Sequence, residues 1–138
     1  MRFFLDSNVL VSGVVIEGTE RWILLATFRR GHSFVISQDV QREALEVTQR
    51  KFPRLREEAA EVVSLLRVET VPRKSYQEPS RGFPGLRDPR DSHVLAAAIV
   101  SHCDATVTGD RDLLVLREVE GVKILRPSQA RRLIATPP

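Results

Sequence analysis

The chain has 138 residues, of which 42% are hydrophobic and 28% are charged, and its formal net charge is +3. This predicts a single globular domain over residues 1–138, with a core of its own. The single cysteine, Cys103, excludes a disulfide framework, and no apolar stretch reaches the roughly 18 residues of a membrane-spanning helix. We therefore expect a soluble cytoplasmic protein with no signal peptide and no membrane partner. Its mild basicity is compatible with a nucleic-acid partner but does not establish one.

The chain opens with a short apolar run, Phe3 to Leu5, which predicts a buried strand of a parallel sheet. Asp6 follows this run directly. Because ligands of open α/β sheets bind beyond the carboxyl ends of the strands, Asp6 is a candidate functional residue. The alternative is that its carboxylate only caps the next helix.

Strands and helices alternate along the rest of the sequence. A short helix or turn is predicted over residues 9–16, and helices are predicted over residues 19–30, 39–50, 55–66, 89–100 and 129–135. Strands are predicted over residues 33–37, 68–71, 105–108 and 122–125. This alternation predicts an α/β fold in which a mostly parallel sheet carries helices on both faces.

The helix over residues 39–50 contains a candidate acidic ligand. Val40, Glu43 and Val47 have the spacing i, i+3 and i+7, which predicts that Glu43 faces the protein. Glu46 lies on a different, solvated face between two arginines. A carboxylate that faces inward needs a partner or a metal ion. The alternative is that Glu43 is a boundary residue that reaches water.

Residues 72–87 hold three prolines, two glycines and four basic residues, and they show no periodicity. We expect a solvated loop that could still contact a polyanion or a partner chain. Its basic residues are Arg73, Lys74, Arg81 and Arg87.

Three more aspartates stand at or near the ends of predicted elements. Asp88 and Pro89 read as the N-cap and first position of a helix, so Asp91 takes the third position and points inward on an apolar helix. Asp110 follows the strand over residues 105–108, just as Asp6 follows the first strand.

Together these acids predict a metal site. Asp6 and Asp110 would end neighbouring strands if the strand order reverses between them, and Glu43 and Asp91 would lean over the same crevice. Four carboxylates in one pocket repel each other, and a hard divalent cation such as Mg²⁺ or Mn²⁺ removes that repulsion.

Four stretches of the sequence carry a resemblance to a known family. They are Phe4-Leu5-Asp6-Ser7-Asn8-Val9-Leu10, the spacing from Ser37 to Glu43, the segment from Asp88 to Ala98, and Thr106-Val107-Thr108-Gly109-Asp110-Arg111-Asp112-Leu113-Leu114. In this order and at these spacings they resemble the PIN domain, and more narrowly the PIN-family toxins of VapBC-type toxin–antitoxin pairs. The resemblance extends over essentially the full chain.

The resemblance implies a three-layer α/β/α sandwich and a metal-dependent endoribonuclease that hydrolyses RNA phosphodiester bonds with Mg²⁺ or Mn²⁺. It also implies an antitoxin across the mouth of the site and a homodimer or higher homo-oligomer. The catalytic and metal-binding quartet would be Asp6, Glu43, Asp91 and Asp110. Asp112 matches a further acidic metal position, Ser7 and Thr108 match small hydroxyl residues beside the aspartates, and the role of Asp88 is less settled.

The sequence also suggests residues for phosphate contacts and an alternative, non-catalytic function. The basic residues of segment 72–87 are the candidates for phosphate contacts, which would position RNA without reading its sequence. A non-catalytic RNA-binding or scaffolding domain is the alternative function, disfavoured only by the intact quartet. His32, His93 and His102 fit surface or boundary positions, and Cys103 fits a small core residue.

Overall fold

The computed structural model describes residues 1–78 and 91–136, without the side chains of residues 27 and 28. Its strands are β1 (Arg2–Leu5), β2 (Ser33–Ser37), β3 (Glu69–Val71), β4 (Ala105–Val107), β5 (Glu118–Val119) and β6 (Val122–Leu125). They form one sheet in the order β3-β2-β1-β4-β6-β5. Every pairing is parallel except that of β5 with β6. The predicted, mostly parallel sheet is thus confirmed.

The helices lie on both faces of this sheet. They are α1 (Ser7–Val15), α2 (Thr19–Arg29), α3 (Gln38–Lys51), α4 (Arg56–Leu65), α5 (Arg73–Tyr76), α6 (Ser92–Val100), α7 (Arg111–Leu114) and α8 (Pro127–Ala135), with a 3₁₀ turn at Pro53–Leu55. One layer contains α1 to α4 and α8, and α5 contacts α6. The connections from β1 through β2 to β3 run in one direction across the sheet, and the connection from β3 to β4 runs in the opposite direction. Because both are right-handed crossovers, α6 covers the other face of the sheet. The fold therefore has the predicted three layers.

None of the helices in the two described ranges is long and apolar enough to cross a membrane.

The central strand explains why the sequence begins with an unbroken apolar run. Phe3, Phe4 and Leu5 have no exposed surface, because β1 is flanked by β2 and β4 and covered on both faces. Phe4 lies opposite Val35 of β2 and Thr106 of β4. The strand order therefore reverses at β1 and β4, and the predicted neighbours Asp6 and Asp110 follow adjacent strands.

The sequence did not predict β5. This short strand pairs with β6 through a two-residue turn at Glu120 and Gly121, whose φ angles are 48° and 84°. Positive φ at both positions gives the tight turn that joins antiparallel strands. The turn was hard to predict because glutamate rarely adopts a positive φ angle, whereas asparagine or glycine at position 120 would have indicated it.

The expectation that residues 72–87 form a loop is wrong for the first part of that segment. Arg73–Tyr76 form the single helical turn α5, and Tyr76 is buried with 1% of its surface exposed. Residues 79–90, which include Arg81, Arg87 and Asp88, lie outside the described residues.

Candidate metal centre

Asp6 has two roles at the carboxyl end of β1. Its Oδ1 accepts a hydrogen bond of 2.8 Å from the Ser7 N–H, so the side chain caps α1 as the alternative reading proposed. Its Oδ2 accepts a hydrogen bond of 2.7 Å from the Thr108 hydroxyl. Only 9% of Asp6 is exposed, and these two donors hold its buried carboxylate in one orientation.

Thr108 links the two aspartates that follow neighbouring strands. Its backbone N–H donates to the Leu125 carbonyl at 3.0 Å, which fixes the residue at the end of β4 beside β6. Its hydroxyl donates to Asp6 and accepts the Asp110 N–H at 3.0 Å. The side chain is fully buried, so a single hydroxyl group sets the distance between Asp6 and the backbone of Asp110.

Three aspartates converge beside this link. Asp110 caps α7, and its Oδ1 accepts the Asp112 N–H at 2.9 Å. One carboxylate oxygen each from Asp91, Asp110 and Asp112 lies within 4.8 Å of the other two, and all three residues are half-buried. Oxygen donors gathered in this way fit a hard divalent cation such as Mg²⁺ or Mn²⁺, which takes a few carboxylates together with waters.

Asp91 reaches this group from the start of α6. It is the N-cap residue of α6 and has helical backbone angles, and the predicted start at Asp88 and Pro89 lies outside the described residues. The helix behind it is buried from Val94 to Ala98, as its apolar sequence predicted. The buried helix therefore anchors the carboxylate at the edge of the sheet.

The prediction that Glu43 faces the protein is wrong. Glu43 is exposed, and the buried positions of α3 are Val40, Ala44 and Thr48, spaced four residues apart. The Thr48 hydroxyl donates to the Ala44 carbonyl at 2.8 Å, so its polar group is satisfied inside the helix. Because Thr48 can be buried in this way, the buried face of α3 runs through Val40, Ala44 and Thr48 and does not include Glu43. Glu43 is also outside the group formed by Asp91, Asp110 and Asp112.

The structure reveals an acid that the sequence analysis did not select. Asp39, near the start of α3, forms an ion pair with Arg73 and accepts a hydrogen bond from the Tyr76 hydroxyl. The same Tyr76 oxygen accepts the Asp39 N–H at 3.1 Å. These contacts dock α5 onto α3, and they explain why a tyrosine in an irregular segment is buried.

Burial alone would raise the pKa of the Asp39 carboxyl. The hydrogen bonds from Arg73 and Tyr76 and the charge of Arg73 outweigh this effect, and the pKa lies below its ordinary value. Arg73 is thus already paired with a carboxylate, which weakens its candidacy as a phosphate contact. Lys74 is exposed.

Cys103 is a core residue, as predicted. It is 5% exposed, and burial raises the pKa of its thiol, so the reactive thiolate is disfavoured at neutral pH. His32 has a pKa lowered by burial and by the charges of the N-terminal ammonium group and Arg30. Its Nδ1 lies 2.8 Å from the N-terminal nitrogen, and its ring packs edge-on against Phe3, which is a structural role.

Comparisons with known proteins agree with this architecture. Residues 2–112 match the sequence model of the PIN domain family. Among solved structures, the chain is similar to a chain in the crystal structure of VapBC2 from Rickettsia felis bound to a DNA fragment from their promoter. The TM-score is 0.60 at 13% identity, and the match covers 91% of this chain and 98% of that chain, so the likeness concerns the fold. No curated protein sequence matches the chain.

The Asp39 contacts generate a pH-dependent prediction. A carboxyl whose pKa is lowered by folding stabilises the protein above its unfolded pKa of about 3.9, and this contribution is lost as the pH falls through the folded value. Asp39→Asn should therefore lower the free energy of unfolding by about 1–2 kcal/mol at neutral pH, and by less near pH 3. Urea denaturation at both pH values measures the difference.

Glu46→Gln is the control for Asp39→Asn, because it removes an exposed acid from the same helix. Its stability should follow the wild-type pH dependence. If Asp39→Asn also kept the wild-type pH dependence, the stabilising role of the Asp39 carboxylate would be disproved.

Proposed function

Because this chain belongs to the PIN domain family, we propose that it is a metal-dependent endoribonuclease that hydrolyses RNA phosphodiester bonds. The observation that carries this proposal is the convergence of Asp91, Asp110 and Asp112 within 4.8 Å, next to the hydrogen-bonded Asp6. We further propose that the protein is the toxin of a type II toxin–antitoxin pair. The similarity of its fold to a chain of VapBC2 supports this role.

In this proposal Asp91, Asp110 and Asp112 hold Mg²⁺ or Mn²⁺. Asp6 faces the same edge of the sheet, and each of its oxygens retains a lone pair for a further contact beside its present hydrogen bond. Glu43 is exposed on the second turn of α3, and we propose that it lies at the periphery of the site, outside the group that holds the metal ion. When bound, the ion would polarise the scissile phosphate and supply an activated water for hydrolysis.

The chain's own residues would organise the reaction. Thr108 holds Asp6 and the Asp110 backbone in a fixed relation, and the N-cap bonds of Asp6 and Asp110 restrict both carboxylates. A site prepared in this way avoids reorganisation when the cation and the phosphate arrive. The products would carry a 5′-phosphate and a 3′-hydroxyl.

The alternative function is a non-catalytic RNA-binding or scaffolding domain of the same family. Three carboxylate oxygens within 4.8 Å of one another are what a cation site requires, whereas a scaffold does not require them. The acidic group therefore favours the enzyme. The partners in this proposal are the RNA substrate, an antitoxin across the mouth of the site, and a second copy of the chain.

The first test of this function is Asp110→Asn. Changing a residue that only orients a metal ligand typically costs 10- to 100-fold, so losing a ligand should reduce cleavage by about 100-fold or more. Cleavage of a labelled RNA in Mg²⁺ gives the rate, and isothermal titration with Mn²⁺ gives the affinity. Wild-type cleavage should also stop in excess EDTA. Full activity of Asp110→Asn, or wild-type activity in EDTA, would refute the proposal.

Glu43 can be tested against a matched control on the same helix. Glu43→Gln and Glu46→Gln each remove one exposed carboxylate from α3. Glu43→Gln should lower the cleavage rate by about 10-fold as a weaker, outer group of the site, whereas Glu46→Gln should not. Equal rates for the two variants would remove Glu43 from the site and leave the other acids in place.

Thr108 is proposed as a positioning residue, and its hydroxyl can be tested separately. Thr108→Val keeps the shape of the side chain but deletes the bond to Asp6 and the acceptor for the Asp110 N–H. The dissociation constant for Mn²⁺ should rise by about 10- to 100-fold. Thr108→Ser keeps the hydroxyl and should restore most of the affinity. Wild-type Mn²⁺ binding by Thr108→Val would show that the link has no such role.

A further inference from the structure

A groove of about 1310 Å³ runs along α7, β6 and the start of α8, on the side of the centre away from α5. Four cationic side chains line it: Arg111, Arg117, Lys123 and Arg126. Two acidic residues, Glu20 and Glu118, also line it, so the four positive and two negative charges give a net charge of +2. The groove is therefore basic, although it adjoins a centre built from carboxylates.

The groove borders the acidic centre at Gly109 and Arg111, the chain neighbours of Asp110. Gly109 lines it and precedes Asp110, and a Cβ atom at Gly109 would meet no other atom within 4 Å. The end of β6 lies beside the end of β4, where Val107 is opposite Leu125. Arg126 follows Leu125 and so leaves the sheet at the edge that carries Asp110. Gly109 and Arg126 therefore place one end of the groove at the edge of the sheet that carries Asp110.

The four cations of the groove have no acidic partner among the described residues. All four are exposed, and in the described parts of the chain none forms an ion pair with an acid within 4.0 Å. By contrast, Arg73 of the segment that the sequence favoured for phosphate contacts is paired with Asp39. The groove thus offers unpaired positive charge to an anionic ligand.

The chemistry of the lining residues points to a particular class of ligand. None of the described residues that line the groove is aromatic, so the groove provides no platform on which bases could stack. Exposed arginine and lysine side chains instead suit the regularly spaced charges of a phosphate backbone.

From these observations we propose that this groove, lined by Arg111, Arg117, Lys123 and Arg126, binds the sugar-phosphate backbone of the single-stranded RNA substrate and directs it to the acidic centre. This inference rests on the proposed ribonuclease function. It assigns RNA binding to the β6 side of the centre and not to segment 72–87. It also implies that the groove contributes affinity without sequence preference.

The test is the double variant Lys123→Gln/Arg126→Gln, made in the Asp110→Asn background so that RNA is bound but not cleaved. Fluorescence anisotropy with a labelled oligo-uridine of about 12 nucleotides gives the dissociation constant between roughly 50 and 200 mM NaCl. The constant should rise about 10-fold or more. The slope of its logarithm against log salt should fall by about 1.4, because each lost single-strand phosphate contact removes about 0.7.

Arg50→Gln/Arg54→Gln is the matched control, since it removes two exposed cations at the end of α3 and the following 3₁₀ turn, far along the helix from the centre. It should leave RNA affinity and salt slope unchanged. In the active background, Lys123→Gln/Arg126→Gln should keep the wild-type affinity for Mn²⁺. A parallel loss of Mn²⁺ binding would assign these cations to the metal centre and overturn the proposal.

The remaining outcomes separate this inference from the proposed function. If wild type cleaves RNA while the groove variant binds it with wild-type affinity and slope, the groove assignment fails and the ribonuclease proposal stands. If wild type neither binds nor cleaves RNA, both proposals fail. A groove that binds a polyglutamate peptide but not RNA would belong to an acidic protein partner, which also overturns the assignment.

Discussion

The hydroxyl group of Thr108 links the carboxyl ends of the two central strands of this protein. It donates to Asp6 at the end of β1 and accepts the backbone N–H of Asp110 at the end of β4, at 2.7 and 3.0 Å. The bond is possible only because β1 and β4 are neighbours in a sheet whose order reverses between them. Both aspartates also cap the helices that follow, so the same short contacts fix the strand ends, the helix starts and the carboxylates.

Negatively and positively charged side chains occupy separate but adjacent regions at this edge of the sheet. Asp91, Asp110 and Asp112 concentrate negative charge where a cation would neutralise it, and the adjoining groove carries a net charge of +2. The overall charge of +3 conveys neither feature, since it sums both signs over the whole chain. In the proposed function, a metal ion and a polyanion would therefore be bound side by side, each by the side chains that suit it.

Local patterns in the sequence predicted the parts of the fold that depend on local forces. The apolar run of β1 and the acid after it led to Asp6, and the same pattern led to Asp110. The exposure of Glu43 could not be predicted, because a polar residue such as Thr48 is expected at the surface. Thr48 is buried because its hydroxyl bonds to the Ala44 carbonyl within α3. The burial of Tyr76 depends on Asp39, 37 residues earlier, and that contact leaves no periodic signal. The basic groove likewise joins residues of α7, β5, β6 and α8 whose proximity only the folded chain shows.

Whether Asp91, Asp110 and Asp112 form a divalent-cation site can be decided by anomalous diffraction from a crystal soaked in Mn²⁺, because the signal locates the ion independently of any activity. We expect a peak about 2.1 Å from carboxylate oxygens of Asp91, Asp110 and Asp112, the distance typical of small hard cations. A crystal saturated with Mn²⁺ that shows no peak among these residues, or a peak only at another place, would contradict this expectation.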